Sequence, residues 1–355
     1  MLPGEKLNIV MLSPFFYPHN GGVERHVYYL SKELLKRKHN VTILTTLHKN
    51  TLSYNDEIDG IKIIRFELNT IPILGVLINM IKLFRHIPLV IRTNVIHCHD
   101  YQFFLWFLGL RIIFPFKKIF ITYHGWEGDY PPKKHIIFLR KIAEYLTRGN
   151  ICVGQFIEKW YNTKADFISH GAIEISTINN LMARQSDIVV ISRFSHDVPL
   201  EKYLEAFQIL KEKYHQNLKI LFLGTGKLES LIRDFISKND LNATLLGFVN
   251  NPLDYIRSTS MVVTNGYLAI LEAAANQKPV FAIYQNELVK DRLTSFAYSD
   301  YFISANNNSE GFAQNIHNYI KNPHKAEFNL RISSKWAIQQ TWENLAIRYL
   351  QLWEK

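Results

Sequence analysis

The 355-residue chain holds only two cysteines, Cys98 and Cys152, which form neither a CxxC pair nor a disulfide framework. A reducing compartment is the simpler expectation. No stretch reaches the roughly 18 uninterrupted apolar residues that a membrane-spanning helix needs. The opening MLPGEKLNIVMLSPFFYP lacks a small-residue cleavage site, so no signal peptide is expected either. There is no GxSxG, no Walker loop and no Asp-x-Asp, the short acidic pair that often holds a divalent ion on a diphosphate. Both glycine-rich turns lack the third glycine of a dinucleotide fingerprint. In PHNGGVERHV only Gly21 and Gly22 are present, and in FLGTGKLESL the residue after Gly224 and Gly226 that should be glycine is Glu229, whose carboxylate would repel a pyrophosphate. Basic residues are spread out and fit no known nucleic-acid module, so no nucleic-acid partner is expected.

Apolar residues make up 47% of the chain and aromatic residues 13%, which excludes disorder and suffices for two cores. The length itself makes two domains the default. A net charge of +10 favours an anionic partner, and by charge alone a nucleotide, a nucleic acid or an acidic membrane surface would fit.

The first strand reads as Leu7 to Ser13, a continuous apolar run of the kind a parallel sheet buries on both faces. A helix from about Val23 to Arg37 follows, with Val27, Leu30, Leu34 and Leu35 at helical spacing. Strands are expected at 40–46, 61–68, 94–100 and 119–125. A second alternating series begins at DIVVISRF (187–194) and continues through the helix at 201–214 and the strand LKILFLGTG (218–226). The polar stretch 174–186 between the two series is the expected hinge. The pattern is α/β, two doubly wound parallel sheets in tandem. Ligands bind beyond the carboxyl ends of such strands, which nominates Gly21, Gly22, His97, His99, His124, Arg193, Gly224, Gly226 and residues 264–272.

Each nomination has a plainer competitor. Gly21 and Gly22 at a helix mouth suit an anion, or simply a tight turn. His124, in ITYHG, suits a proton carrier or a donor to a hydroxyl, or a structural strand cap. His97 and His99 share one strand face, but with fourteen histidines in the chain an HxH is expected by chance, and no metal is predicted. Stretches 71–92 and 101–118 mix apolar residues with Lys82, Arg85, Arg92, Arg111, Lys117 and Lys118. They read mainly as buried helices, with a membrane-facing stripe as the alternative. Glu272, alone among alanines in LEAAA, has no core-packing reason to be there.

Taken in order, GGVERHV, VIHCHD, ITYHG, ISHGA, VISRF, LFLGTG, LLGFV, the LEA helix before KPV, and the closing TWENLAIRYLQLW form a series that resembles the retaining GT-B glycosyltransferases of family 4. The resemblance covers nearly the whole chain. It implies two Rossmann-like domains with an interdomain cleft: 1–178 on the acceptor side, 179–335 holding the nucleotide-sugar, and a helix in 336–355 crossing back to the first. It implies transfer of a sugar from a nucleotide-sugar to a glycan or lipid-linked acceptor with retention of configuration. It also implies no cofactor and no metal, in keeping with the missing Asp-x-Asp. The setting would be cytoplasmic, peripheral on the inner face of an anionic membrane. Position by position, Glu272 would take the ribose hydroxyls, and amides near Gly266, Tyr267 and Leu268 the diphosphate. Arg193 would bind the same phosphates and stabilise the leaving group, Gly21 and Gly22 would approach them, and His124, with His99 beside it on the acceptor side, would lie near the reacting sugar.

The chain also departs from that family's pattern. A carboxylate usual seven intervening residues before Glu272 is replaced by Thr264, and the lysine usual after the arginine by Val198. Ser192 stands where a glycine precedes the arginine. Lys227 and Lys202 are candidate substitutes for the lysine, and Thr264 can still meet a sugar hydroxyl. These departures keep two further readings open: a catalytically weakened or non-catalytic binding or partner relative, and a nucleotide-sugar epimerase on the same architecture.

Overall fold

The computed structural model describes residues 6–174 and 183–355, apart from Asn20, Thr70, Pro72, Ile73, Phe107 and Trp126. Most of the expected hinge therefore lies outside the described residues. The chain divides into two compact units, 1–169 with 342–355, and 170–341.

The first unit is built on eight strands: β1 (Asn8–Leu12), β2 (Asn40–Thr46), β3 (Asn55–Ile58), β4 (Ile61–Phe66), β5 (Val95–Cys98), β6 (Lys118–Tyr123), β7 (Gly149–Val153) and β8 (Phe167–Ser169). Their order is β3-β4-β2-β1-β5-β6-β7-β8, parallel except for the β3–β4 hairpin. That hairpin departs from the all-parallel expectation. Asp59 and Gly60 both have positive φ, 52° and 82°, which lets a two-residue turn close it. β1, β5, β6 and β7 are almost wholly buried because helices cover both faces. The chain reverses its winding between β1 and β5, so the ends of these two strands and of β6 open where a doubly wound sheet takes its ligand.

The last helix, Trp342–Trp353, packs in this unit. Trp342 stacks on Tyr29 with centroids 5.3 Å apart, and Trp353 is fully buried. Trp353 Nε1–H donates to His97 Nδ1 at 3.0 Å. Since an indole only donates, the His97 proton sits on Nε2, which donates to the Thr122 hydroxyl at 2.7 Å. Thr122 continues to Tyr349 at 2.9 Å, and Tyr349 to His26 Nε2 at 3.0 Å. A polar chain thus runs from the last helix through the core to the first.

The second unit has β9 (Ser186–Ile191), β10 (Ile220–Leu223), β11 (Ala243–Gly247), β12 (Thr259–Val263), β13 (Val280–Ile283) and β14 (Ile303–Asn306), all parallel, in the order β11-β10-β9-β12-β13-β14. Its winding reverses between β9 and β12, so Arg193 and Thr264–Gly266 flank the switch point. The unit begins at 170, ahead of the expected 179, because the His170 ring packs within it against Phe296 and Trp336. It ends at 341, where Thr341 bridges Ile173.

Candidate functional site

In the second unit the Tyr267–Ala275 helix starts directly after β12. Residues Ala273, Ala274 and Ala275 are buried at 0–2% exposure, so a close helix–sheet contact explains the alanines. Glu272 is buried with them at 7% exposure. The first hydrogen bond inside the helix runs from Ile270 N–H to the Gly266 carbonyl. The Leu268 and Ala269 amides consequently point out of the helix mouth, with no partner among the described residues. Gly266 has φ −84°, ordinary for any residue, and a Cβ there would meet only Thr264 Oγ1 at 3.4 Å. The fold does not demand a glycine at 266. What its absence of side chain keeps clear is the space before the amides, where an anion is favoured by both the N–H groups and the helix dipole.

Thr264 does not stand toward a sugar as the resemblance suggests. Its hydroxyl donates to the Ile191 carbonyl at 2.8 Å and accepts from Gly266 N–H at 3.0 Å, and the residue is 1% exposed. It ties the end of β9 to the mouth of the helix. Val198, where a lysine is expected, packs on the unit's apolar core.

Arg193 is 78% exposed and paired with Asp197 at 2.7 Å. The loop carrying it is held by the Gly224–Gly226 turn: Phe194 N–H donates to Thr225, and Leu228 N–H to Phe194. A Cβ on Gly224 would overlap the Ser192 carbonyl oxygen, and one on Gly226 the Phe194 carbonyl oxygen, and both residues have positive φ. These two glycines are therefore structural and act on the site by fixing Arg193. Lys227, beside them, is exposed and makes no hydrogen bond or ion pair among the described residues. Lys202 donates to the Asn307 carbonyl at 3.0 Å.

In the first unit, His99 and His124 follow β5 and β6. His99 Nδ1 lies 3.0 Å from His124 Nε2, and the His26 ring stands edge-on to His124 at 4.8 Å. Burial, reinforced by the other rings, holds His97, His99 and His124 well below the usual histidine pKa, and burial alone lowers His26 to about 3. All four are neutral near pH 7. His26, His99 and His124 bring ring nitrogens within 4.8 Å of one another, a grouping able to hold a metal ion. Within the grouping, His99 Nδ1 is hydrogen-bonded to His124 Nε2 and His26 Nε2 to the Tyr349 hydroxyl.

The loop after His124 is anchored by Arg140, whose guanidinium donates to the Gly125 carbonyl at 2.6 Å and to Glu127 at 2.7 Å. The Tyr161 ring lies 3.7 Å from that guanidinium. Gly21 caps the Gly22–Lys36 helix without a side-chain bond, and a Cβ on Gly22 would meet nothing within 4 Å. Glu24, buried beside Gly21, is held to His19 at 2.9 Å, and burial raises its pKa.

Sequence reasoning missed Arg140 and Arg292. Arg292 projects from the Glu287–Thr294 helix, and its guanidinium lies 5.6 Å from the Tyr267 ring. Neither carries a local motif, and their partners lie far along the chain.

Residues 20–173 match the family model described as Glycosyltransferase Family 4, and residues 173–335 that of Glycosyl transferases group 1. A human protein that is one subunit of phosphatidylinositol N-acetylglucosaminyltransferase is 32% identical over 124 residues, 32% of this chain and 26% of that protein. The chain thus matches about a quarter of that relative's length. A glycosyltransferase from Rickettsia africae superposes over 98% of both chains with a TM-score of 0.75 at 18% identity. HepE from Anabaena, solved in complex with UDP-glucose, superposes over 97% of this chain and 99% of its own, with a TM-score of 0.70 at 14% identity. These likenesses show the fold.

Proposed function

The chain belongs to the group 1 glycosyltransferases of the GT-B fold, and from that premise we propose that it moves a sugar from a nucleotide-sugar to a lipid-linked or glycan acceptor, with retention of configuration and without a metal. The observation that carries the donor side is the mouth of the Tyr267–Ala275 helix. A glycine the fold does not need leaves the mouth clear before the Leu268 and Ala269 amides, which have no partner among the described residues, with a buried carboxylate one turn on.

Glu272 accepts the two ribose hydroxyls, which a carboxylate can do at once. The amides of Leu268 and Ala269 and the Arg193 guanidinium take the diphosphate, Arg193 leaving Asp197 to do so. The bond from the anomeric carbon to the diphosphate oxygen breaks as the acceptor oxygen attaches on the same face. The acceptor proton passes to the departing phosphate oxygen, so no protein nucleophile is required. Fixed amides and a guanidinium stabilise the charge growing on the leaving group, where pre-oriented dipoles are most effective. His124, neutral at working pH, orients a hydroxyl of the sugar or acceptor.

Three things support a lipid-linked acceptor at an anionic membrane surface. The net charge is +10, the human relative acts on phosphatidylinositol by its name, and the first unit exposes Ile81, Ile112 and Phe116 at 65%, 71% and 86% among basic residues. Among the described residues no helix is long and apolar enough to cross a membrane. The proposed setting is peripheral on the cytoplasmic face.

The test is a thermal-shift panel with UDP, GDP, ADP and their sugar conjugates, without added metal. A ligand at a hundred times its dissociation constant stabilises by about 2.7 kcal/mol, several degrees for a domain of this size. A shift with one nucleotide that disappears in Glu272→Ala supports the donor site and names its class. No shift with any would turn the reading toward a non-catalytic relative.

A further inference from the structure

Arg292 is a cation without an ion-pair partner among the described residues. Its neighbours Arg193 and Lys290 each hold a carboxylate, Asp197 at 2.7 Å and Glu287 at 3.3 Å. The Arg292 guanidinium has no hydrogen bond among the described residues either, and with the side chain half-buried its N–H donors remain open to solvent or a ligand. Burial lowers its pKa, and Arg193 lies near enough to lower it further, while Asp197 and Tyr267 act the other way. A half-buried guanidinium whose donors no protein group takes is open to an anion, which it can hold through two parallel N–H bonds.

Its position says what that anion meets. The guanidinium lies 5.6 Å from the ring of Tyr267, the first residue of the Tyr267–Ala275 helix. Side chains on a helix lean toward its N-terminus, so the Tyr267 ring sits at the helix mouth and Arg292 with it. The contact is braced from behind. The Tyr267 hydroxyl is shared between the Ser295 hydroxyl at 2.7 Å and the Arg292 carbonyl at 3.3 Å. A guanidinium beside a braced Tyr267 ring, with a second guanidinium near enough to act on it, thus flanks the first residue of the helix, and Asp197 alone among the charges that act on Arg292 is a carboxylate.

We propose that Arg292 binds the diphosphate of the nucleotide-sugar together with Arg193, supplying the second positive charge that Val198 does not. The planar fork of arginine suits two phosphate oxygens at once, which a lysine cannot match. This inference rests on the donor reading above and goes beyond it by naming a diphosphate ligand that the motifs do not mark.

Calorimetric titration of wild type, Arg292→Ala, Arg292→Lys and the control Lys290→Ala tests it, using UDP, GDP and ADP, each against its nucleoside. Wild type should bind one diphosphate. Arg292→Ala should bind that diphosphate about tenfold to a hundredfold more weakly while its nucleoside affinity stays the same, the worth of a charge-assisted bond to phosphate. Arg292→Lys should recover part of the loss, Lys290→Ala should bind as wild type, and the melting temperatures of all four should agree within a few degrees.

If wild type binds a diphosphate and Arg292→Ala binds it within twofold, the assignment is overturned while the donor reading stands. An equal loss for nucleoside and diphosphate would overturn it too, showing that Arg292 only props Tyr267. Wild type binding none of the nucleotides would overturn the donor reading and this inference together.

Discussion

His99 Nδ1 and His124 Nε2 lie 3.0 Å apart, and the other nitrogen of His99, Nε2, is buried without a partner among the described residues. An orphaned buried acceptor is tolerated better than an orphaned N–H, so the His99 proton sits on Nδ1 and is donated to His124. His124 Nε2 is then the acceptor, and its proton is held on Nδ1. His99 thereby fixes His124 as a donor through Nδ1, the tautomer suited to a sugar or acceptor hydroxyl.

Replacing His99 by Gln should lower kcat about tenfold to a hundredfold, the worth of one oriented hydrogen bond at a reacting group, with nucleotide affinity unchanged. Nitrogen-15 NMR of labelled histidine should show His124 protonated on Nδ1 in wild type and mixed in the variant. A wild-type His124 protonated on Nε2 would refute the assignment.

Two glycines near one another in function should respond oppositely to alanine. Gly266→Ala finds room and an allowed φ, so its melting temperature should hold or rise slightly while nucleotide affinity falls. Gly224→Ala drives a Cβ into the Ser192 carbonyl at positive φ and should cost more than about 2 kcal/mol in denaturant unfolding. Equal stability losses at both sites would show that Gly266 is structural after all.

The contrast marks what sequence could and could not convey. β1 was legible because a parallel strand buried on both faces leaves a continuous apolar run. The hairpin strand β3, reading Asn-Asp-Glu-Ile, has no such run, and β8 is three residues long. Of the site, Glu272 stood out as one carboxylate in an alanine helix. Thr264 was legible as a departure, but not as a tie between two strand ends, because its partner Ile191 comes from another strand. Arg292 is one charge among several in NELVKDRL, and only packing against Tyr267 distinguishes it.

Three buried histidines and the half-buried His124 make stability pH-dependent in a definite direction. His26, His97, His99 and His124 all have folded pKa values below the ordinary 6.5, His26 at about 3. Below 6.5 the unfolded chain takes up protons that the folded chain refuses, so stability rises with pH there. The contribution is fully present above about 6.5 and is lost as pH falls toward the folded values, at up to about 1.4 kcal/mol per pH unit for each ring. The hydrogen-bond partners around them, Thr122, Tyr349 and Trp353, offer no acid to offset the loss. Melting temperature should therefore drop between pH 7 and pH 5, and less steeply in His97→Asn. A flat profile over that range would mean the rings are protonated in the folded state.

The exposed apolar residues of the first unit bear on where the acceptor is met. Ile81, Ile112 and Phe116 are more than half exposed, while Lys82, Arg111 and Lys117 donate to backbone carbonyls of Glu67, of Pro115 and Lys117, and of Ile91. Carbonyl contacts leave those charges uncompensated, so they remain available to anionic lipid headgroups. Fully burying a large apolar side chain contributes about 1.5–3 kcal/mol, so Ile112 and Phe116 together would account for about a hundredfold or more in affinity for a bilayer. Ile112→Ser with Phe116→Ser should therefore reduce sedimentation with vesicles of anionic phospholipid by at least tenfold, leaving melting temperature and nucleotide affinity unchanged. Raising the salt should weaken wild-type binding as well, because the charges act through solvent. Wild-type protein that stays in the supernatant with anionic vesicles at low salt would remove the membrane from the proposed function, and a soluble glycan would become the acceptor to test.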